Sequence, residues 1–329
     1  PFTRVTWASG IDPKTGRPID VPNNRYEEGK FFMAPSPVGA HSWLPMAYSP
    51  QSRLVYIPTI EIGAWLYDAF ASPEEWKRPA FHGVNGGTAL DLPAGEGTAA
   101  LVAWDPVRQR QVWRRPVPTN VSGGVMATAG NLVFQGSIDN SFNAFDARTG
   151  KVLWSFDTKA PTIAPPISYS AKGRQYVTVL TGSGGSLVLK GDVFGKYAIG
   201  YREQARRVLT FVLYGKQTLP DASPYRFEPV PDPGYLARPE AEARGLGIYA
   251  QTCIMCHGRD GDGSGGNAPD LRASPMILDS QAFATVVREG VLRRQGMPRF
   301  DDLTETMVED IRAYLRMLAH KAASESRER

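Results

Sequence analysis

Positions 1 to about 215 carry short β-branched and aromatic runs separated by Gly, Pro, Asn and Asp. Leu54-Val55-Tyr56-Ile57, Leu132-Val133-Phe134 and Tyr176-Val177-Thr178-Val179-Leu180 are examples. Apolar runs of this length, bounded by turn-forming residues, predict short strands. From about 237 onward the apolar spacing changes to three and four, which predicts helices. One helix is expected over 240–252, and a second over 280–291 with Phe283, Val286 and Val287 on one face. A third is expected over 304–320, with Met307, Ile311, Tyr314, Leu315 and Leu318 in line. Between the two regimes stand Pro220, Pro224, Pro229, Pro231, Pro233 and Pro239, a density that predicts extended chain. The organisation read from this pattern is an all-β region over 1–215, a Pro-rich linker over 216–236, an all-α domain over 237–322 and a polar tail over 323–329. Tyr225, Phe227 and Tyr235 give the linker aromatic groups with which to lie along a surface.

The strand region repeats. Ala103-Trp104-Asp105 precedes Val112-Trp113, and Ala144-Phe145-Asp146 precedes Leu153-Trp154, a step of 41 in both members. Leu132 to Tyr176 is 44, and Leu54 to Leu132 is 78, close to two such steps. A period near 40 in strand-rich sequence predicts propeller blades of four strands. An ordinary β-sandwich with accidental spacing is the competing reading. Two turns share a form, Asp12-Pro13-Lys14-Thr15-Gly16-Arg17 and Asp146-Ala147-Arg148-Thr149-Gly150-Lys151. In each, Asp opens the turn and Gly occupies the place that needs positive φ.

Composition narrows the class. The 329 residues are 42% hydrophobic and 21% charged, with 33 Gly and 27 Pro, as suits a folded chain rich in turns. A net charge of +4, evenly spread, argues against nucleic acid as a partner and allows a mild preference for acidic ones. No run of about 18 apolar residues predicts a transmembrane segment. The chain opens at Pro1 with no secretory signal, which reads as a mature or truncated chain.

The only two cysteines lie in Cys253-Ile254-Met255-Cys256-His257. Two cysteines at this spacing can form thioethers to two vinyl groups of one porphyrin, with the next His beneath the iron. Cys253 and Cys256 are therefore expected to bind haem c covalently, and His257 to be an axial ligand. A zinc half-site and a thioredoxin-like redox pair compete. Zinc needs further ligands, and His320 is the only other His or Cys of the domain. A redox pair does not call for the adjacent His. The sixth ligand is expected to be Met297, in the loop Gly296-Met297-Pro298-Arg299-Phe300, with Met276 and Met307 as rivals. A six-coordinate iron has no open position, so the domain is expected to relay electrons and do no bond chemistry. Gly258 to Gly266 misses the EF-hand spacing and has no closing Glu, which leaves a turn. Asn267-Ala268-Pro269-Asp270-Leu271 is expected to pass the haem edge.

With these residues in place, the chain resembles the PQQ-dependent quinohaemoprotein alcohol dehydrogenases. The telling segments are Thr6-Trp7-Ala8-Ser9-Gly10-Ile11-Asp12-Pro13-Lys14-Thr15-Gly16-Arg17-Pro18, Val102-Ala103-Trp104-Asp105-Pro106-Val107, Ala129-Gly130-Asn131-Leu132-Val133-Phe134-Gln135-Gly136 and Gly173-Arg174-Gln175-Tyr176-Val177, followed by the haem motif. The resemblance implies a fold class of multidomain type, an incomplete eight-bladed all-β propeller followed by an all-α cytochrome c domain. It implies PQQ and calcium on the propeller axis, oxidation of an alcohol to an aldehyde, and electrons passed through haem c to an external acceptor such as a small redox protein or a quinone. It also implies a periplasmic location. The same resemblance places the base, the calcium ligands and a stacking Trp ahead of Pro1, so none of them is assigned. Asp12 is no substitute, since it lies in a surface-type turn.

Three segments depart from the family pattern. His-Asn-Trp stands as His41-Ser42-Trp43, Trp-Asn-Gly-Gly as Val121-Ser122-Gly123-Gly124, and Gly-Trp-Gly-Gly as Gly182-Ser183-Gly184-Gly185. The resemblance places Ser42 and Trp43 in the vicinity of PQQ, a buried blade Trp being the other reading of Trp43. His41 and His82 are expected to be packing or loop residues. Two further readings stand beside the dehydrogenase: an electron-transfer module with a non-catalytic propeller, and a propeller serving as an interaction scaffold.

Overall fold

A computed structural model describes residues 2–37, 39–68, 88–91, 97–117, 122–182, 204–220, 227–258, 260–263 and 268–327. The three sequence-predicted strands fall within β5 (Leu54–Glu61), β11 (Leu132–Ser137) and β15 (Arg174–Leu180). Two four-stranded antiparallel sheets form the centre of the β region. The first has the order β4 (Ala47–Ser49), β5, β8 (Thr98–Asp105), β9 (Arg110–Val117). The second runs β10 (Ser122–Ala127), β11, β12 (Ser141–Asp146), β13 (Val152–Asp157). A three-stranded sheet, β14 (Ile167–Ala171), β15, β16 (Val208–Val212), follows. A hairpin of β1 (Ala8–Ile11) and β2 (Pro18–Asp20) precedes them all. Among the described residues the sheets form an open array rather than a closed ring.

The 41-residue repeat is a structural one. β8 and β9 lose register between Ala103 and Trp104, and β12 and β13 between Ala144 and Phe145, so the β-bulge repeats with the sequence. Asp105 accepts from the N–H groups of Val107 and Arg108, and Asp146 from those of Arg148 and Thr149, at the same offsets. Gly16 and Gly150 both take φ of 69°, as their matching turns require.

The step of 78 has a different origin from the one its length suggests. Leu54 and Leu132 open the second strands of neighbouring four-stranded sheets, so they are one blade apart and not two. The excess comes from β6 (Ala64–Asp68) and β7 (Thr88–Asp91), inserted between β5 and β8 and paired with β3 (Phe31–Met33) in a separate sheet. Period counting cannot separate an insertion from a second blade, because both add strand-like sequence.

Successive sheets pack face to face. Tyr56, Leu101, Ala103 and Trp113 of the first meet Val125, Val133 and Phe145 of the second. Trp113 donates through Nε1 to the Ala147 carbonyl at 3.1 Å, and Tyr56 Oη donates to the same oxygen at 2.9 Å. A Cβ on Gly150 would stand 2.8 Å from the Trp113 ring, so the glycine serves both its turn and this contact. Phe134, Phe142 and Ala144 then pack on Val179 and Leu209 of the third sheet.

The helical domain has its own core. Helix α1 (Pro239–Thr252) matches its predicted span to within one residue. A single turn, α2 (Ile254–His257), follows. The predicted second helix is α3 (Ser280–Ala284), continued by a π-helical turn over Thr285–Glu289 and stopped by Gly290 at φ 70°. The last helix, α4 (Glu305–Arg327), runs past 320, so much of the expected polar tail is helical. Its sequence from 321 to 327 lacks Gly and Pro, and nothing there stops a helix already nucleated on the core.

The linker divides its contacts. Leu219 packs on the third sheet, whereas 227–236 lies against the helical domain. Arg272 stacks over Phe227, and the Val230 N–H donates to the Arg272 carbonyl. Arg316 grips the buried Asp232 carboxylate through Nε and Nη2 at 2.6 and 3.0 Å, and Tyr235 stacks on His320. Tyr235 also donates to Glu242 at 3.0 Å; burial first, and then that carboxylate, push its pKa up to about 12. Phe227 and Tyr235 thus behave as the sequence suggested, while Tyr225 lies outside the described residues.

Candidate haem site and sheet-end cluster

Helix α1 delivers the cysteines. It ends at Cys253, whose N–H donates to the Tyr249 carbonyl at 2.9 Å. The chain turns once through α2, with the N–H groups of Cys256 and His257 both donating to the Cys253 carbonyl. Residues three apart on a turn share a face, so Cys253 and Cys256 look the same way with His257 beside them. Neither thiol is in a disulfide. Burial pushes the Cys253 thiol up to about 11 and raises Cys256 as well. Both are held as neutral thiols, unlike the low-pKa nucleophile of a redox pair. Among the described residues no group of three or more His, Cys, Asp or Glu is poised to hold a metal ion, and His320 is engaged with Tyr235.

His257 is buried, and its Nδ1 lies 3.0 Å from the Pro269 carbonyl. Only a protonated Nδ1 makes that contact favourable, which leaves the Nε2 lone pair free for a metal. Desolvation lowers the His257 pKa, against a smaller opposing effect of the Pro269 bond, so the ring is neutral as a ligand must be. The segment 267–271 was expected near the haem edge; its Pro269 serves through a backbone oxygen, while Asn267 lies outside the described residues, as do Arg259 and Ser264 to Gly266 of the preceding loop.

Two further residues shape the site without a sequence motif of their own. Tyr249 is fully buried, and its Oη donates to the Gly258 carbonyl at 2.6 Å, just beyond His257. Gly245, one turn earlier on α1, faces the Asp310 carbonyl of α4, and a Cβ there would fall on that backbone. The glycine lets α1 and α4 cross closely enough for Tyr249 to meet Tyr314 at a ring separation of 5.4 Å. A Gly four residues ahead of a Tyr, and eight ahead of the first Cys, was the available signal.

Met297 is half-buried and packs on the same core as Cys253 and Ile254. Its N–H donates to the Leu292 carbonyl at 3.3 Å, and Gly296 at φ 96° turns the loop. Met307 packs on that core as part of α4, and Met276 is 44% exposed in a short 3₁₀ turn. Two thiols and a neutral imidazole on one turn are the donor set that a covalently held haem needs.

Among the described residues, Gly123 and Gly124 of the second departing segment lie between Pro45, just after the first, and the 161–165 stretch that also meets Gly182 of the third. The Val125 N–H donates to the Pro45 carbonyl at 3.0 Å, and the Gly124 N–H to the Ile163 carbonyl at 3.1 Å. Gly182 donates to the Pro161 carbonyl, and Thr162 bridges to Gly182. A Cβ on Gly124 would lie 2.9 Å from both Pro45 and Pro165, and one on Gly123 2.7 Å from the Gly136 carbonyl. Both glycines are therefore packed by this chain's own atoms. Ser42 is half-buried, and Trp43 is 60% exposed, so the buried-blade reading of Trp43 does not hold. It lies where the chain enters β4, beyond the inter-sheet cores. His41 hydrogen-bonds the Pro58 carbonyl, as a packing residue would. Val121, Ser183, Gly184, Gly185 and His82 lie outside the described residues.

Meander sheets packed face to face, followed by a helical Cys-x-x-Cys-His domain, define a propeller joined to a c-type cytochrome. Comparison with known proteins agrees in both parts. The family described as glucose/ethanol/alcohol dehydrogenase, beta-propeller domain, matches residues 79–177, and that described as cytochrome c oxidase, cbb3-type, subunit III matches 240–315. The chain is 40% identical to the quinohemoprotein alcohol dehydrogenase ADH IIB of Pseudomonas putida, across 98% of this chain and 47% of that protein. It is 34% identical to the 1-butanol dehydrogenase (cytochrome c) of Thauera butanivorans, across 95% of this chain and 45% of that one. The solved quinohemoprotein alcohol dehydrogenase of Comamonas testosteroni superposes with a TM-score of 0.73 at 31% identity, over 97% of this chain and 47% of that chain. Over nearly its whole length the chain is similar to quinohaemoprotein alcohol dehydrogenases, with a PQQ-type propeller region followed by a cytochrome domain. It spans about half the length of the curated relatives it matches.

Proposed function

We propose that Cys253 and Cys256 bind haem c covalently, that His257 and Met297 are the axial ligands of its iron, and that the domain relays single electrons from a PQQ-dependent oxidation of an alcohol to its aldehyde. The observation that carries this is the pairing of His257 Nδ1 with the Pro269 carbonyl beside two cysteines on one turn. Bound haem supplies a reversible one-electron couple. The chain's own residues do the rest. Pro269 fixes the tautomer and ring plane of His257. Tyr249 holds the backbone just after the ligand, and the core of Phe283, Ile311 and Leu315 excludes water.

In the propeller, Ser42 and Trp43 would border a bound PQQ, a two-electron acceptor that works with calcium as its metal. Ser in place of amide or indole at positions 42, 122 and 183 either reshapes the pocket for another substrate or weakens PQQ binding. The external acceptor is a small redox protein or a quinone, and the compartment is the periplasm. Among the described residues no helix is long and apolar enough to cross a membrane.

The test is covalent haem. Purified chain, denatured and extracted with acidic solvent, should keep its haem absorbance, and C253A/C256A should lose it. Extraction of all haem from the wild type would overturn the assignment. For the dehydrogenase reading, a preparation containing the whole propeller with PQQ and calcium should reduce the haem when given primary alcohols. A haem that stays oxidised there would favour the second reading, an electron relay with a non-catalytic propeller, which the altered segments at 42, 122 and 183 recommend.

A further inference from the structure

The loop between α3 and α4 presents six consecutive exposed residues, Val291 to Gly296, immediately before Met297. Val291 and Leu292, an apolar pair, are 54% and 36% exposed. Leu292 is tied to Met297 by the backbone hydrogen bond at 3.3 Å, so the apolar pair sits on the ligand loop itself. Arg293 and Arg294 follow, both exposed. Among the described residues neither side chain has an ion-pair or hydrogen-bond partner, unlike Arg299 with Asp301, or Arg288 with Glu305. The Arg293 stem lies close over Gly290, which holds it at the loop surface.

This local charge is not inherited from the domain. Between 237 and 329 the chain has 13 Lys and Arg against 14 Asp and Glu, yet no acidic residue occurs from 290 to 300. Two guanidinium groups without an acidic neighbour beside an exposed apolar pair give this loop a local positive potential that an acidic partner would complement. An interface centre wants apolar contact and Arg at its edge, and association is steered by opposite charge.

The geometry points to Val291, Leu292, Arg293 and Arg294 as the docking face for the external electron acceptor, which is an acidic small redox protein with an apolar patch edged by carboxylates. This rests on the haem assignment above, because only Met297 at the iron puts the face within a few residues of the electron. A quinone, being uncharged, would not be steered by the two guanidinium groups.

The test uses the full haem-bearing chain, reduced with ascorbate and mixed rapidly with an acidic plastocyanin or with 1,4-benzoquinone. With plastocyanin one electron leaves each ferrous haem and reduces one cupric centre to cuprous. With benzoquinone two reduced chains supply two electrons, and solvent two protons, to give hydroquinone. The wild-type rate with plastocyanin should fall as ionic strength rises from about 10 to about 200 mM, through screening. R293E/R294E should slow that reaction about tenfold at low salt and remove its salt dependence. R293K/R294K should keep both the rate and its salt dependence, since charge is preserved. Neither double variant should alter the benzoquinone rate. K14E/R17E, which changes net charge equally in the β1–β2 turn, should behave as wild type. Equal plastocyanin rates for R293E/R294E and wild type would overturn the docking face. So would equal slowing by K14E/R17E, or a parallel loss with benzoquinone. A chain without covalent haem would instead overturn the site assignment, and this inference with it.

Discussion

Tyr249 and Gly258 are joined across the whole Cys-x-x-Cys-His turn by a hydrogen bond of 2.6 Å from the phenol to the carbonyl. The bond closes the turn from behind, with the tyrosine fully buried and both cysteines between its ends. Y249F should keep the ring and leave the Gly258 carbonyl unpaired in a dry place. A buried orphan of this kind costs about 1–3 kcal/mol. The denaturation midpoint should fall accordingly while covalent haem is retained; an unchanged midpoint would show that the bond carries no stability.

Replacement of Met297 separates it from its rivals. M297A should keep the haem, which the cysteines hold, but lose the sixth ligand, giving a high-spin ferric spectrum and a lower potential. M276A and M307A should retain a six-coordinate, low-spin spectrum. A low-spin M297A paired with a high-spin M307A would reassign the ligand.

The crossing of α1 and α4 depends on Gly245. In G245A the new methyl meets the Asp310 backbone, which cannot rotate away as a side chain would. Overpacking of this kind costs about 1–3 kcal/mol, or more where only backbone can move. Thermal unfolding of the helical domain, followed by circular dichroism, should show the loss, and G247A should serve as the control, because a Cβ there meets nothing within 4 Å.

Between sheets, Trp113 is the side chain with most to lose. It is buried, packs on Gly150 and donates to the Ala147 carbonyl. W113F should cost about 1 kcal/mol from the lost hydrogen bond, and W113A about 3–5 kcal/mol from the cavity. Urea midpoints of the two variants should differ in that order.

The clasp of the linker on α4 is sensitive to acid. Arg316 chiefly holds the Asp232 carboxyl below its ordinary value. A depressed carboxylate contributes stability above the unfolded pKa, near 3.9, and that contribution is lost as pH falls through the lowered folded value. Hydrogen exchange over 227–236 should quicken in that acidic window, and D232N should show the faster exchange already at neutral pH.

Much of this was legible in the sequence because it is local. The turns at Asp12 and Asp146 follow from residues a few places apart, and so does the arrangement of Cys253, Cys256 and His257. The 41-residue repeat carried even its β-bulges, since a bulge is set by the strand in which it lies. What was misread is long-range. The step of 78 hid an inserted hairpin whose partner strand, β3, lies earlier in the chain. Between the two readings of Trp43 the sequence left the choice open, because its exposure depends on where the sheets end, which its neighbours in sequence do not encode. The extent of α4 was understated because its last turns have little apolar periodicity and are carried by the helix before them.

The sequence by itself determined that this chain has a strand-rich repeat, a helical domain and a covalent haem motif, since each depends on residue types at short, fixed spacings. Only the tertiary structure decided that Pro269 sets the His257 tautomer, that Gly245 admits α4, and that Asp232 docks the linker on Arg316. Each is a meeting of groups distant in the chain, made by packing, and no local spacing records it.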